Sequence, residues 1–341
     1  MRIEYARAGM VLDRDVVDEN GNLLLEKGIT LTEIYLSRLK RLGINAIAIK
    51  FPELIGIDLP PPAISPEVRM ELSLCFRALF TMTTECILTS KLQTMYFNQI
   101  TKASDSVISE LEKNMPRILN IRLRELTEDE TSHAVNVCLL SLVTGLYLKL
   151  PRPALKELAL GALLHDLGKS VIPQVDSKPL NSPNMHTLYG RDLLLKHQLS
   201  STIARIAAEH HEFHDGSGYP LGLSKKATHP LSRIVAIANY YDNALTQAQL
   251  DGTPLQDIIE TMLASSDILF DNNTLRAFLH TTPIYPLGSM VVLNTGQTAY
   301  VTENRSRYPL RPLVRVFSKT GYEDIDLAHQ PNLTIIDNVE E

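Results

Sequence analysis

The stretch His210-His211-Glu212-Phe213-His214-Asp215-Gly216-Ser217-Gly218-Tyr219-Pro220 constrains this chain of 341 residues more than any other. The residues before it, Ile203-Ala204-Arg205-Ile206-Ala207-Ala208-Glu209, are apolar at helical spacing, which predicts that the histidine pair ends a helix. Asp215-Gly216 and Gly218 then break the helix into a tight loop. Adjacent helical residues point about 100° apart, so neighbouring imidazoles suit a cluster of metal ions better than a single ion. A helix end followed by a surface turn would account for any one of these residues. It does not account for a second pair upstream, in Ala162-Leu163-Leu164-His165-Asp166-Leu167-Gly168-Lys169. There an apolar helix from Leu155 to Leu164 delivers an imidazole and a carboxylate side by side, and Gly168 is expected to permit a sharp exit.

Together, His-Asp-x-Gly-Lys and His-His-Glu-x-x-Asp-Gly-x-Gly-Tyr-Pro resemble the HD-GYP family, bacterial phosphodiesterases of the HD metallohydrolase superfamily. The resemblance covers roughly residues 120 to 283. It implies a mainly α fold, with an all-helical HD-type metallohydrolase core, a small N-terminal α/β module and a small C-terminal antiparallel β region.

The implied site gathers imidazoles and carboxylates from several helices. Such N/O donors suit iron, manganese or zinc, and the lack of a nearby cysteine argues against a thiolate site. Carried over position by position, the resemblance makes His133 the first ligand. Asp129, four residues earlier on the same helical face, stands where relatives with a third metal carry Glu; it is either a ligand or an acid favoured by the helix dipole. His165 and Asp166 match the His-Asp pair, with Asp166 bridging two ions. His186 begins the His-x-x-x-Gly position, and His210 and His211 complete the imidazoles. The implied cofactors are two divalent ions, three at most, with iron first and manganese or zinc as the other candidates. Lys169 would offset charge on the phosphate, so Asp166 and Lys169 are the catalytic candidates. Lys169, Asp215, Gly218 and Tyr219 are the substrate-contacting candidates. His197, His214, His229, His280 and His329 match no ligand position and read as surface or core residues.

Two departures stand out. The family's last ligand is an Asp in the helix after Arg-Ile-Val-Ala, where this chain has Asn239; Asp242, three residues on, shares roughly that face and could supply the carboxylate. The family's basic segment after Ala-Leu-Thr is replaced by Gln247-Ala248-Gln249-Leu250-Asp251-Gly252, which has no cation. The resemblance therefore implies hydrolysis of cyclic di-GMP in bacterial second-messenger signalling. The alternative is a catalytically weakened HD-GYP scaffold that binds nucleotide or a protein without turnover. An HD nucleotide phosphohydrolase of other specificity is disfavoured by the complete Gly-Tyr-Pro loop.

The flanks read as separate modules. Residues 1–51 suggest a small α/β unit: a strand over Met10–Val17, an Asn20-Gly21 turn, a return strand at Leu23–Leu25, and a helix capped by Thr30 or Thr32. That helix turns Ile34, Leu36, Leu39 and Leu42 inward and stops at Gly43; Ala46–Ile49 closes the unit. Residues 52–66, centred on Pro60-Pro61-Pro62, form a stiff linker. Residues 67–123 are a helical connector able to pair across a homodimer, 124–283 are the core, and 284–341 are β-rich.

Composition limits the partners. A net charge of −6 with 44% apolar and 21% charged residues is that of a soluble globular chain without a nucleic-acid surface, so no DNA partner is expected. No run approaches the roughly 20 apolar residues of a membrane span, and with no apolar run behind Met1-Arg2-Ile3-Glu4-Tyr5 no signal peptide is expected. Cys75, Cys86 and Cys138 form no C-x-x-C pair and read as buried free thiols of a reducing, cytoplasmic setting. A signalling protein could dock on the Gly-Tyr-Pro loop or the N-terminal module.

Overall fold

The structure, a computed structural model, describes residues 3, 6–18, 22–44, 47, 49, 50, 59–84, 90–124, 129–172, 174, 175, 178, 179, 183–305, 307–318 and 321–338. The Asn20-Gly21 turn expected from the sequence, Ala46 and Ala48, the first part of the linker, Cys86, Lys319 and Thr320 lie outside them. The chain divides into two compact units, one formed by residues 1–60 with 285–341 and the other by 61–284.

In the first unit, β1 (Val11–Leu12) and β2 (Val16–Val17) replace the single strand expected over Met10–Val17. The polar run Asp13-Arg14-Asp15 bends the chain between them, and Asp15 accepts a hydrogen bond from the Lys27 backbone N–H at 2.6 Å. β2 pairs with β3 (Leu23–Leu25). Helix α1 (Glu33–Arg41) starts at Thr32, whose hydroxyl accepts from the Tyr35 N–H. Leu36 and Leu39 are buried as expected, but Ile34 is 76% exposed and Leu42 is 45% exposed. Ile34 lies about 200° around the helix from Leu36, so it cannot share the inward face. β1 also pairs with β4 (Ile49–Lys50). Around these elements Leu12, Leu31, Leu36, Leu39 and Ile47 form a small core.

The second unit is helical. Its elements are α2 (Pro66–Thr84), α3 (Ser90–Asn114), α4 (Glu130–Tyr147), α5 (Arg152–Leu164), a short β5–β6 pair (Gln174–Val175 and Lys178–Pro179), α6 (His186–Lys196), α7 (Ser201–Glu209), α8 (Pro230–Asp251), α9 (Leu255–Ala264) and α10 (Asn272–Thr281). Helix α4 is buried continuously from Ala134 to Gly145, as a helix that is apolar all round must be. It is the central rod: α5, α8 and α10 pack on it, and α7 packs on α5, α6 and α8. Gly168 has a different role from the one its sequence position suggests. A Cβ there would lie 1.9 Å from the His186 carbonyl oxygen and 2.5 Å from the Gly190 nitrogen. The glycine therefore lets the segment after α5 touch the first turn of α6, and so sets where His186 stands.

The C-terminal strands β7 (Met290–Leu293), β8 (Thr298–Glu303), β9 (Leu313–Ser318), β10 (Gly321–Asp326) and β11 (Ile335–Asn338) form one antiparallel sheet in the order β10-β9-β8-β7-β11. Strand β10 escaped the sequence reading because Tyr322-Glu323-Asp324 is polar and exposed. It is held partly by the cross-strand Arg315–Asp324 pair at 2.7 Å and by the Arg315 guanidinium over the Tyr322 ring at 4.0 Å. Among the described residues, no helix is long and apolar enough to cross a membrane.

Candidate metal centre

Helix ends build the site. His165 caps the C-terminus of α5, His210 caps that of α7, and His186 is the first residue of α6. His133 projects from the first turn of α4. The two capping histidines are set by the same local device. The last carbonyls of a helix lack intrahelical donors, and His165 Nδ1 lies 2.7 Å from the Ala162 oxygen while His210 Nδ1 lies 2.9 Å from the Ala207 oxygen. Each Nδ1 therefore carries the proton, and each Nε2 lone pair is left for a Lewis acid.

All of these Nε2 atoms converge on Asp166, which divides them. Its Oδ2 lies 3.3 Å from His165 Nε2 and 3.6 Å from His133 Nε2, while its Oδ1 lies 3.2 Å from His186 Nε2 and 3.4 Å from His210 Nε2. Two donor groups result, His133–His165–Asp166 and Asp166–His186–His210–His211, each with its atoms within 4.8 Å of one another.

The donors fit divalent ions. His133 Nε2, His165 Nε2 and Asp166 Oδ1 are buried without a hydrogen-bond partner, a costly arrangement unless a cation satisfies them. His186 Nε2 and His210 Nε2 stand 3.3 Å apart, two lone pairs that a shared ion would reconcile. Burial pushes His210 down to about 4, and burial with the neighbouring His210 pushes His211 down to about 2, so both are neutral ligands at pH 7. Burial opposes ionisation of Asp166, but the surrounding imidazoles outweigh it and hold the carboxyl well below its usual range.

Around this centre stand supporting residues, some of which the motifs did not announce. Asp242 accepts from His133 Nδ1 at 2.7 Å, from Arg124 Nε at 2.7 Å and from Asn136 Nδ2 at 3.2 Å. It therefore orients His133 and fixes its tautomer, with its own charge neutralised by buried Arg124. Burial disfavours the His133 cation, yet the bond to Asp242 outweighs it and raises the pKa. Lys169 Nζ lies 2.7 Å from Asp166 Oδ2 and 3.2 Å from Glu130 Oε2. Burial works against its charge, but these two carboxylates prevail and keep it cationic.

The Gly-Tyr-Pro loop is folded over His211. The Tyr219 ring stacks on the His211 imidazole at 4.5 Å between centroids, and burial pushes the phenol up to about 12. Glu212 clamps the loop by accepting from the backbone N–H groups of Leu221 at 2.7 Å and Leu223 at 2.9 Å. Gly218 is required for contact: a Cβ there would sit 2.4 Å from both the His211 oxygen and the Phe213 nitrogen.

The remaining candidates lie elsewhere. Asp129 is the N-cap of α4, where its carboxylate accepts from the Thr131 and Ser132 N–H groups and the Ser132 hydroxyl. It belongs to neither donor group. Asp215 is exposed and closes a local turn with Ser217. Asn239 is buried beside His210 and His211, its Oδ1 accepting from Asn243 Nδ2 at 2.8 Å. The other histidines stay outside the centre: His197 lies against Phe97, His280 against Tyr147, His229 caps α8, and His329 pairs with Asp326. Arg124, Asn136, Glu130 and Glu212 were missed because each acts through a neighbour, and only the i, i+3 spacing of Glu130 to His133 hinted at a shared face.

Comparison with known proteins agrees with this geometry. The family model for the HD domain matches residues 113–273, and that for a KOW domain associated with the HD domain matches residues 290–341. Cyclic di-GMP phosphodiesterase PA4108 of Pseudomonas aeruginosa is 28% identical over 326 residues, covering 88% of this chain and 78% of that protein. The 3′3′-cGAMP-specific phosphodiesterase 1 of Vibrio cholerae is 40% identical over 102 residues, covering 28% of this chain and 23% of that protein. Among solved structures, Bd1817, an HDG"Y"P protein from Bdellovibrio bacteriovorus, aligns over 82% of this chain and 97% of its own with a TM-score of 0.51 at 20% identity, a likeness of fold. With both motifs placed at one centre and the similarity extending over most of its length, the chain belongs to the HD-GYP family of HD-domain phosphodiesterases.

Proposed function

We propose that this chain hydrolyses cyclic di-GMP with two divalent ions, iron being the first candidate. The observation that carries the proposal is the division of Asp166 between two imidazole groups, one carboxylate oxygen facing each. His133, His165 and Asp166 would hold one ion, and Asp166, His186, His210 and His211 the other. When bound, such ions supply Lewis-acid polarisation of a phosphoryl oxygen and activation of water near pH 7. The protein does the rest. Arg124 and Asp242 hold His133 in one tautomer, and the helix-end carbonyls do the same for His165 and His210. Lys169 brings a permanent positive charge to the edge of the cluster, where it can offset charge on the scissile phosphate. Tyr219, a neutral phenol, walls the loop side. The choice of cyclic di-GMP rests on the names of the relatives. A reducing, cytoplasmic setting is part of the same reading and rests on Cys75 and Cys138 as free thiols.

The test is metal analysis of anaerobically purified protein, with a cyclic di-GMP hydrolysis assay on the same sample. Asp166→Ala is expected to lose both ions and turnover while keeping its helical circular dichroism. Full metal stoichiometry and turnover in that variant would refute the shared-carboxylate site. A non-hydrolysing scaffold is the weaker reading. Asn239 favours it, but the complete imidazole set opposes it.

A further inference from the structure

Helix α8 carries Asn239, Asn243 and Gln247 at four-residue spacing, which places three side-chain amides along one face. With a rise of 1.5 Å per residue, Asn243 and Gln247 stand about 6 and 12 Å along the axis from Asn239. The row begins beside His210 and His211 and lines a groove of about 520 Å3, flanked by the aromatic rings of Tyr240 and Phe213. A groove of this size can hold a small organic ligand. Among the described residues, its lining contains no Lys, Arg, Asp or Glu.

That neutrality decides which part of a substrate the groove suits. A phosphate brings charge, and charge is met at the metal centre and at Lys169, not along α8. What extends from a phosphate held at the centre into an uncharged wall of amides and rings is a sugar and its base. Bases offer a π face for an aromatic ring and a hydrogen-bonding edge that a side-chain amide matches with one donor and one acceptor. Both outer amides have that capacity. Asn243 spends one N–H on Asn239 at 2.8 Å and Gln247 spends one on Asp251 at 3.3 Å. Each keeps a second N–H and a carbonyl oxygen.

We infer that this groove is a nucleoside subsite in which Asn243 and Gln247 read the edge of a nucleobase beside Tyr240. The inference rests on the phosphodiesterase reading above, whose metal centre supplies the phosphate anchor. It assigns the segment that lacks the family's cations to base recognition.

The test uses the protein as purified with its metal. Calorimetric titration with 5′-GMP gives a Kd without turnover. The ratio of kcat/KM for cyclic di-GMP to that for bis(p-nitrophenyl) phosphate, which has no base, isolates base recognition from chemistry. Asn243→Ala and Gln247→Ala are each expected to raise the Kd for 5′-GMP about 5- to 10-fold, the scale of one neutral hydrogen bond, and to lower the ratio by a similar factor. Both side chains are exposed and alanine favours helix, so the thermal midpoint should hold; Asn243→Ser provides a second route. Values within twofold of the parent for all variants would overturn the subsite. A parent that cleaves bis(p-nitrophenyl) phosphate but not cyclic di-GMP refutes the proposed substrate instead, while weakened 5′-GMP binding in the variants would still support the subsite.

Discussion

Replacing Asp242 by Asn tests whether the metal centre depends on a residue that touches no ion. The substitution keeps size and one acceptor but removes the charge that Arg124 faces at 2.7 Å and that His133 Nδ1 engages at 2.7 Å. Both members of the Arg124–Asp242 pair are buried, with side chains 7% and 2% exposed. Breaking one side of a buried pair strands the other charge and costs about 3 kcal/mol or more. For a helical unit of this size that corresponds to a midpoint lower by about 6–12 °C. The effect on metal should be selective. His133 loses the acceptor that fixes its tautomer, and such orienting partners are worth about 10–100-fold in metal affinity. The ion at His133, His165 and Asp166 should therefore weaken, while the one at His186, His210 and His211 stays.

The assay is metal analysis after graded dialysis against a chelator, with thermal unfolding on the same samples. The expected result is a fall from two ions toward one at chelator concentrations that the parent tolerates. Parent-like stoichiometry and midpoint would show that Asp242 does not organise His133. Loss of both ions together would contradict the division of the donors into two groups. A double variant, Arg124→Leu with Asp242→Leu, should recover stability relative to Asp242→Leu alone, because no buried charge is left unpaired.

Substitutions at three further positions probe the surroundings. Asp129→Ala should cost about 1 kcal/mol as a lost helix cap, and Asp129→Ser should cost only a few tenths, with metal content equal to the parent in both; metal loss in the serine variant would make Asp129 a ligand after all. Burial opposes the Asp129 charge but the N–H and hydroxyl groups of Thr131 and Ser132 outweigh it and lower its pKa. Its stabilising contribution is thus present above the unfolded value near 4 and fades as pH falls through the lower folded value, so in pH-dependent unfolding the parent and Asp129→Ala should converge only below about pH 4. Gly168→Ala should displace the start of α6 and with it His186, lowering stability by about 1–3 kcal/mol and emptying the His186 group first in metal analysis; parent-like values would mean that the 1.9 Å approach relaxes without consequence. Asn239→Asp should bring a charged oxygen beside His210 and His211 and raise metal affinity at that group by about tenfold or more, read by chelator competition; an unchanged affinity would place residue 239 outside the ion's reach.

The fold was legible where burial is one-sided or complete. The helices around α4 announced themselves because their apolar residues repeat at helical spacing, and the ends of α5 and α7 were visible because His-Asp and His-His are followed by glycines. Strand β10 was invisible for the opposite reason. Its residues are polar and exposed, and pairing with β9 together with the Arg315 contacts decides its conformation, which no local pattern encodes. Ile34 and Leu42 show a related failure: apolar identity implied an inward face, but Ile34 lies on the opposite side of α1 from Leu36, and Leu42 is the C-cap just beyond its last turn. No pattern in the chain indicated that residues 1–60 and 285–341 group as one unit.

At the site, candidate ligands were legible in the motifs, and the residues that orient them were not. A ligand must be His, Asp or a similar donor, so its identity is restricted and its position shows. An orienting residue needs only to place a charge or a carbonyl against a ring nitrogen, and many residues or the backbone can do that. His165 and His210 are oriented by the carbonyls of Ala162 and Ala207, where the side chain is irrelevant and the helix end alone matters. His133 sits within α4, where the carbonyl three residues back is taken by the helix, so it has to recruit a carboxylate from α8. That carboxylate in turn needs Arg124, which lies 118 positions away in sequence. The ligand that lies inside a helix is thus the one whose support is long-range, and the same contacts give Asp242 an orienting role toward His133. Its oxygens are committed to Arg124, Asn136 and His133, and the amide of Asn239 is a side chain that α8 presents beside His210 and His211.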